Sequence, residues 1–195
     1  MIPADYPITV VQGGTFQLDV QLLNSVRTVT LTAGSDLIGL RCHGLVAGDV
    51  VGFRSDAGTF PCGMAGVRGY YVIASGLTSD AFKVSTTLGG SSIGISPIAA
   101  DLTGITYEVG KATSLAGATL DADVKSLIDG SLVATFTVTA LDTAAGTLRM
   151  RMAPSTTLAM PASDQYAYDL NYRVGGDSYY PMGGPLTVTA TRSRP

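Results

Sequence analysis

The chain has no tryptophan, one histidine and two cysteines. Each shortage narrows the chemistry open to it. Any Ser-His-Asp or Cys-His arrangement has to use His43, the one imidazole base. That residue sits in a His-Gly-Leu turn, where a structural role serves equally well, and catalysis would need several further geometric conditions met. No catalytic residue is expected. Cys42 and Cys62 could close one disulfide, but a lone pair in a protein made in a cytoplasm is more often two reduced, buried thiols. Together with His43 they offer zinc three soft ligands. The adjacent Cys-His pair departs from the usual spacing of zinc ligands, however, and no fourth ligand is evident. Neither a metal nor a cofactor is expected.

Charge is scarce as well. Charged residues make up 14% of the chain, against about 25% in ordinary soluble proteins. The net charge is −3 and the 12 basic residues are scattered; only Arg149, Arg151, Arg192 and Arg194 come close to grouping. A surface for nucleic acid needs clustered Lys and Arg, so no nucleic-acid partner is expected. No stretch approaches the ~18 apolar residues needed to cross a bilayer, and membrane insertion is not expected. The opening "MIPADYPITV" lacks the basic end and apolar core of a secretion signal, which implies synthesis and folding in a cytoplasm. Helix formers such as Glu, Lys and Gln are few, which argues against long helices.

What remains is rich in Gly, Thr, Val, Ala and Ser, a composition suited to pleated sheets joined by tight turns. Residues 16–21 alternate, with Phe16, Leu18 and Val20 on one face and Gln17, Asp19 and Gln21 on the other, as a half-buried strand does. "SVRTVTLTAG" follows and could pair with it, but the better matching partner is "AGATLDADVKS", about ninety positions later, with Ala118, Leu120, Ala122 and Val124 facing one way. From there strands recur with turn signals between them: "LVATFTVTALD", "TLRMRMA", "DQYAYDLNYRV" and "PLTVTATR". "PSTTLAMPAS" is a polar, Pro-bounded connection with room for one helical turn. This rhythm predicts a small β-sandwich.

Between Ser25 and Lys111 short apolar runs alternate with Gly-rich connections, and a second, compact β-barrel-like unit is expected there. Such a unit can enter a host domain through a surface loop when its ends lie close together. The predicted organisation is a discontinuous sandwich, 1–24 plus 112–195, carrying an inserted all-β domain, 25–111.

Other candidate sites read as ordinary structure. Asp121 and Asp123 project from one face of a strand, and with Asp129 and Asp142 they could form a carboxylate cluster for calcium or acid–base work. No EF-hand loop surrounds them, and a solvated outer face accounts for them. "GGDSYYPMGG" lacks the P-loop pattern and the following helix that a phosphate cradle needs. The tyrosines are more informative. Tyr166, Tyr168 and Tyr172 share a face with Leu170 and are expected in the core. Tyr70, Tyr71, Tyr179 and Tyr180 form adjacent pairs, so one of each pair should face outward. They are the candidate interface, since exposed Tyr is common in interfaces and sugar-stacking platforms; an ordinary edge position is the alternative.

The stretch "HGLVAGDVVGFRS…GYYVIASGLTSDAFKVSTTLGGSSIGIS" resembles a small β module recurrent in structural proteins of tailed bacteriophages. The elements that carry the likeness are His43-Gly44-Leu45, Gly48-Asp49, Val50-Val51, Tyr70 to Ile73, Phe82 to Ser85 and Gly89-Gly90. The module is also similar to the small all-β domain of ubiquitin-activating enzymes, although nothing here resembles an adenylating domain. The flanks resemble the immunoglobulin-like sandwich of phage tail and baseplate accessory proteins, in particular the N-terminal domain of upper baseplate proteins that carry receptor-binding fibres. Leu115 to Thr119, Ala145 to Leu148, Tyr166 to Leu170 and the closing "LTVTATRS" carry that likeness. The family runs its first two strands in succession, whereas here the inserted domain separates them.

The resemblance implies a non-enzymatic virion protein, located in the tail as a baseplate or fibre-anchoring adaptor. Its partners would be copies of itself and other virion proteins, with tail fibres or host surface glycans as further contacts. A head decoration or neck protein and a carbohydrate-binding module are the alternatives.

Overall fold

The computed structural model describes residues 4–32, 34–61, 63–95 and 104–191. Strands β1 (Ala4–Asp5), β2 (Ile8–Val11) and β3 (Phe16–Gln21) come first. Six strands follow: β4 (Leu23–Leu31), β5 (Ile38–Gly39), β6 (Val50–Ser55), β7 (Tyr70–Ile73), β8 (Ala81–Ser85) and β9 (Tyr107–Ala112). The chain continues through β10 (Thr119–Ser126), β11 (Leu132–Asp142), β12 (Thr147–Met152), helix α1 (Pro154–Ala159), β13 (Ser163–Val174) and β14 (Asp177–Thr189). The fold is all-β. It divides into two compact units, one of Met1–Val20, Ala116–Leu141 and Leu148–Pro195, the other of Gln21–Leu115 with Asp142–Thr147.

The first unit grows out of period-two patterning. On β13, Tyr166, Tyr168, Leu170 and Tyr172 are buried, while the residues between them face outward or sit half-covered. Leu148, Met150 and Met152 do the same on β12. Its strands are hydrogen-bonded in the order β1-β14-β13-β10-β11-β12-β3, with β2 also on β14. Numbered along the sandwich, the third, sixth and seventh strands (β10, β13, β14) lie together, as do the second, fourth and fifth (β3, β11, β12). β10 is also hydrogen-bonded to β11, so the two groups join in one continuous sheet. The first strand runs parallel to the last, Ile8 to Val11 beside Leu186 to Thr189.

Three local devices fix this unit. The β13–β14 hairpin turns through Gly175 and Gly176, both with positive φ (61° and 93°), which a two-residue turn matched to strand twist requires. At the start of β13 the Tyr166 hydroxyl donates back to the Pro161 carbonyl at 3.1 Å, the arrangement of a tyrosine corner. Helix α1 starts with Pro154, which suits a first turn, and its buried Thr157 hydroxyl reaches the Gly14 carbonyl at 2.8 Å.

Strand β3 differs from expectation. Its neighbour is β12, not the "AGATLDADVKS" segment, because β10 has β11 on one edge and β13 on the other. Across the two strands Asp19 meets Arg149.

In the second unit, β4, β5, β8, β7, β6 and β9 close into a barrel. Val51, Phe53, Tyr70, Val72, Phe82, Val84 and Val109 fill it, with Ile38 and Ile95 also buried. The Gly69–Thr87 ribbon supplies β7 and β8, registered Tyr71 to Ser85 and Val72 to Val84. Residues 142–147, read from the sequence as part of the sandwich, group instead with the barrel unit. Their backbone makes the reason visible: the Leu22 amide donates to the Gly146 carbonyl at 2.9 Å, and the Leu115 amide to the Thr143 carbonyl at 2.8 Å. Gln21 is buried beside them and donates its Nε2 to the Ala145 carbonyl at 2.9 Å. A Cβ on Gly52 would fall 2.2 Å from the Gln21 Oε1, so only glycine leaves room for this amide.

Candidate interaction site

The four tyrosines proposed as an interface separate into distinct environments. Tyr70 is completely buried in the barrel, edge-on to Phe53 at 5.5 Å between ring centres. Its hydroxyl accepts from the Ala65 amide at 2.7 Å, and burial pushes the phenol above its ordinary pKa. It is therefore removed from the interface: on β7 the even positions point into the core. Tyr71 takes the other face and is half-buried.

On β14 both Tyr179 and Tyr180 are exposed, at 39% and 52%. The alternation breaks there for a geometric reason. Between the pairs Leu170–Met182 and Tyr172–Tyr179, β14 carries one residue more than β13. Tyr179 lies opposite the buried Tyr172 and shares its face, while Tyr180 falls within the bulge; both are open because the hairpin end of β14, Asp177 to Tyr180, is exposed throughout. The Tyr179 ring leans on Tyr172 at 5.8 Å, while Tyr180 stands free to solvent.

A stronger surface feature lies at the β10–β11 hairpin, in "SLIDGSL". Leu127, Ile128 and Leu132 are all exposed there, Ile128 to 81%. The turn beneath them is internally bonded. The Ser126 amide donates to the Ser131 carbonyl and the Gly130 amide to the Ser126 carbonyl, both at 2.9 Å. Asp129 Oδ1 accepts from the Ser131 amide at 3.1 Å and from its hydroxyl at 2.8 Å; these bonds hold the Asp129 carboxyl below its ordinary pKa. Gly130, at φ 72°, completes the reversal. The sequence reading missed this site. Its signal was an apolar Leu-Ile pair set against an Asp-Gly turn, where no core is available to cover it.

The carboxylates do not assemble. Asp121 binds Arg173 at 2.7 Å, Asp129 and Asp142 each cap their own turn, and Asp123 faces Asp169 across the β10–β13 pair. Among the described residues no three of His, Cys, Asp and Glu come together as a metal site would require. His43 is spoken for by structure. Its Nδ1 accepts from the Leu45 amide at 2.9 Å, so the proton sits on Nε2, which lies 3.4 Å from the Ala81 carbonyl. The ring also packs edge-on to Phe82 at 5.3 Å.

Cys42 is exposed rather than buried, because it belongs to a surface turn at φ 50° whose amide donates to Asp80 at 3.0 Å. Cys62, Arg192 and Arg194 lie outside the described residues. Among the described residues no helix is long and apolar enough to cross a membrane. No family model matches the chain, and no curated protein matches it either.

Proposed function

We propose that this chain is a non-enzymatic structural component of a tailed-phage virion, a baseplate or fibre-anchoring adaptor in the tail that works by docking to other proteins. The observation that carries the docking reading is the β10–β11 hairpin, which holds Leu127, Ile128 and Leu132 in water on a turn stiffened by its own hydrogen bonds. Exposed apolar clusters on soluble proteins mark interaction sites, and a pre-shaped turn loses little conformational freedom when it docks. The exposed Tyr179–Tyr180 step adds a second contact surface of the kind interfaces favour.

The occupation of His43 and of the carboxylates by structural partners supports a role without catalysis. The placement in a phage tail rests on the likeness of the His43–Ser96 and Leu115–Ser193 stretches to phage proteins. Antibody labelling of intact particles, viewed by electron microscopy, tests it. Label at the distal tail is the expected result. Label over the head would replace the tail adaptor with a head decoration protein, and virions shown by mass spectrometry to lack the chain would end the virion reading.

A further inference from the structure

The mouth of the barrel holds a cleft of about 450 Å³ that the docking role does not use. Its apolar wall is the half-buried Leu45, backed by Leu40, Val51 and Val109 of the barrel core, and its rim carries Asn24, Arg27 and Lys111. Clefts of roughly 300–1,000 Å³ with an apolar lining and a few convergent polar groups are the usual form of small-molecule sites, and barrel mouths are a frequent location.

The backbone around the cleft departs from regular strand geometry. The β4–β9 ladder slips between Asn24 and Arg27. Ser25, inside that slip and on the cleft wall, has φ 51°. Bulges of this kind re-aim side chains next to functional sites, and left-handed conformations in residues other than glycine cluster at ligand sites.

The charges are uneven. Lys111 is neutralised by Asp49 at 2.6 Å. Arg27 instead donates to two neutral carbonyls, Arg41 at 2.7 Å and Cys42 at 3.1 Å. Among the described residues no carboxylate pairs with it. The two carbonyls orient the guanidinium at the rim and leave its charge uncompensated. Beside an apolar wall, an oriented and unopposed guanidinium fits one class of ligand: a carboxylate carried on a short apolar body.

We infer that this cleft binds such a carboxylate, its anionic end on Arg27 and its apolar end against Leu45. The inference stands independently of the docking role.

Benzoate and its neutral isostere benzamide separate charge from greasiness in one experiment. Amide chemical shifts of the full chain are followed by NMR during titration with each. Saturable shifts at Asn24, Ser25, Val109 and Lys111 are expected with benzoate, with benzamide binding about tenfold more weakly, as the loss of one charge-assisted hydrogen bond implies. Arg27→Met should abolish the preference, while Lys83→Met, at a cation paired elsewhere with Asp36, should preserve it. Equal binding of the two probes by the unaltered chain, or shifts that never saturate, would overturn the inference without reliance on any variant. A second arm uses an acetylated dipeptide ending in phenylalanine. Tighter binding than benzoate assigns the carboxylate to a polypeptide C-terminus, and weaker binding assigns it to a free organic acid.

Discussion

Arg149 grips Asp19 with both prongs of its guanidinium, Nε to Oδ1 at 2.7 Å and Nη2 to Oδ2 at 2.8 Å. The pair spans β3 and β12, whose partnership the hydrophobic pattern alone did not reveal. The hydrogen bond from Arg149 holds the Asp19 carboxyl below its ordinary pKa, aided by charge attraction and opposed by partial burial. A group depressed in this way stabilises the fold above its unfolded pKa and loses that contribution as pH falls through the folded value. The Asp19 contribution is therefore complete above about pH 4 and fades below it. Arg149→Met should lower the melting temperature at pH 7, and the gap from the unaltered chain should narrow between pH 4 and pH 2. Thermal unfolding followed by circular dichroism reads both; a gap of constant size would show that the pair contributes nothing.

Tyr168 anchors the N-terminal segment to the sandwich core. Its buried hydroxyl donates to the Tyr6 carbonyl at 2.7 Å, and burial drives its pKa far upward. Tyr168→Phe leaves the packing but strips the Tyr6 carbonyl of this donor. The expected loss is about 1–2 kcal/mol in urea unfolding, with an unchanged slope. A loss near zero would mean that water replaces the hydroxyl.

How much of this was legible in the sequence depends on range. β13 could be read directly, because Tyr166, Tyr168, Leu170 and Tyr172 alternate with outward residues over a long run. The partner of β3 could not, since β10 and β12 both alternate, and that β10 has both edges taken by β11 and β13 is visible only in the fold. Residues 142–147 look like a hairpin turn, and nothing local says that the amides of Leu22 and Leu115 bond to them. The tyrosine pairs show the same boundary. Alternation sorts Tyr70 from Tyr71, but Tyr179 and Tyr180 are both exposed because they sit at the hairpin end of β14, and the bulge beside them is set by a register across strands. Asn24, Ser25 and Arg27 line the cleft at the slip in the ladder, which is a property of the β4–β9 pair and of neither strand alone.

Ile128 offers the sharpest test of the docking surface. Because it is so exposed, Ile128→Asp should leave stability within about 0.5 kcal/mol of the original. The same change should abolish incorporation of the chain into particles when supplied in place of the original. Normal incorporation would show that the hairpin is not the contact.

Val67 has φ 52°, a conformation that costs a β-branched residue most, and it is exposed, so little packing offsets the strain. Val67→Gly should therefore stabilise the barrel unit, by about 1 kcal/mol. A higher urea midpoint is the expected reading. A lower one would mean that the Val67 side chain does more in folding than its exposure suggests.

Gly69 tests the placement of residues 142–147 within the barrel unit. A Cβ there would fall 2.4 Å from the Ala145 Cβ and 3.1 Å from Val50 Cγ1. Ala145 is almost wholly buried, and its Cβ is fixed by the main chain, so rotation of a side chain cannot relieve the clash. Gly69→Ala should cost about 1–3 kcal/mol, as overpacking a tight core does. Ala145→Gly should destabilise on its own, through a lost contact and a freer unfolded chain. In the double variant the new methyl enters the space the old one left. The combined loss should then fall short of the sum of the single losses by about 1 kcal/mol or more, a coupling expected only of groups in contact. Strict additivity in denaturant unfolding would show that the two residues do not meet.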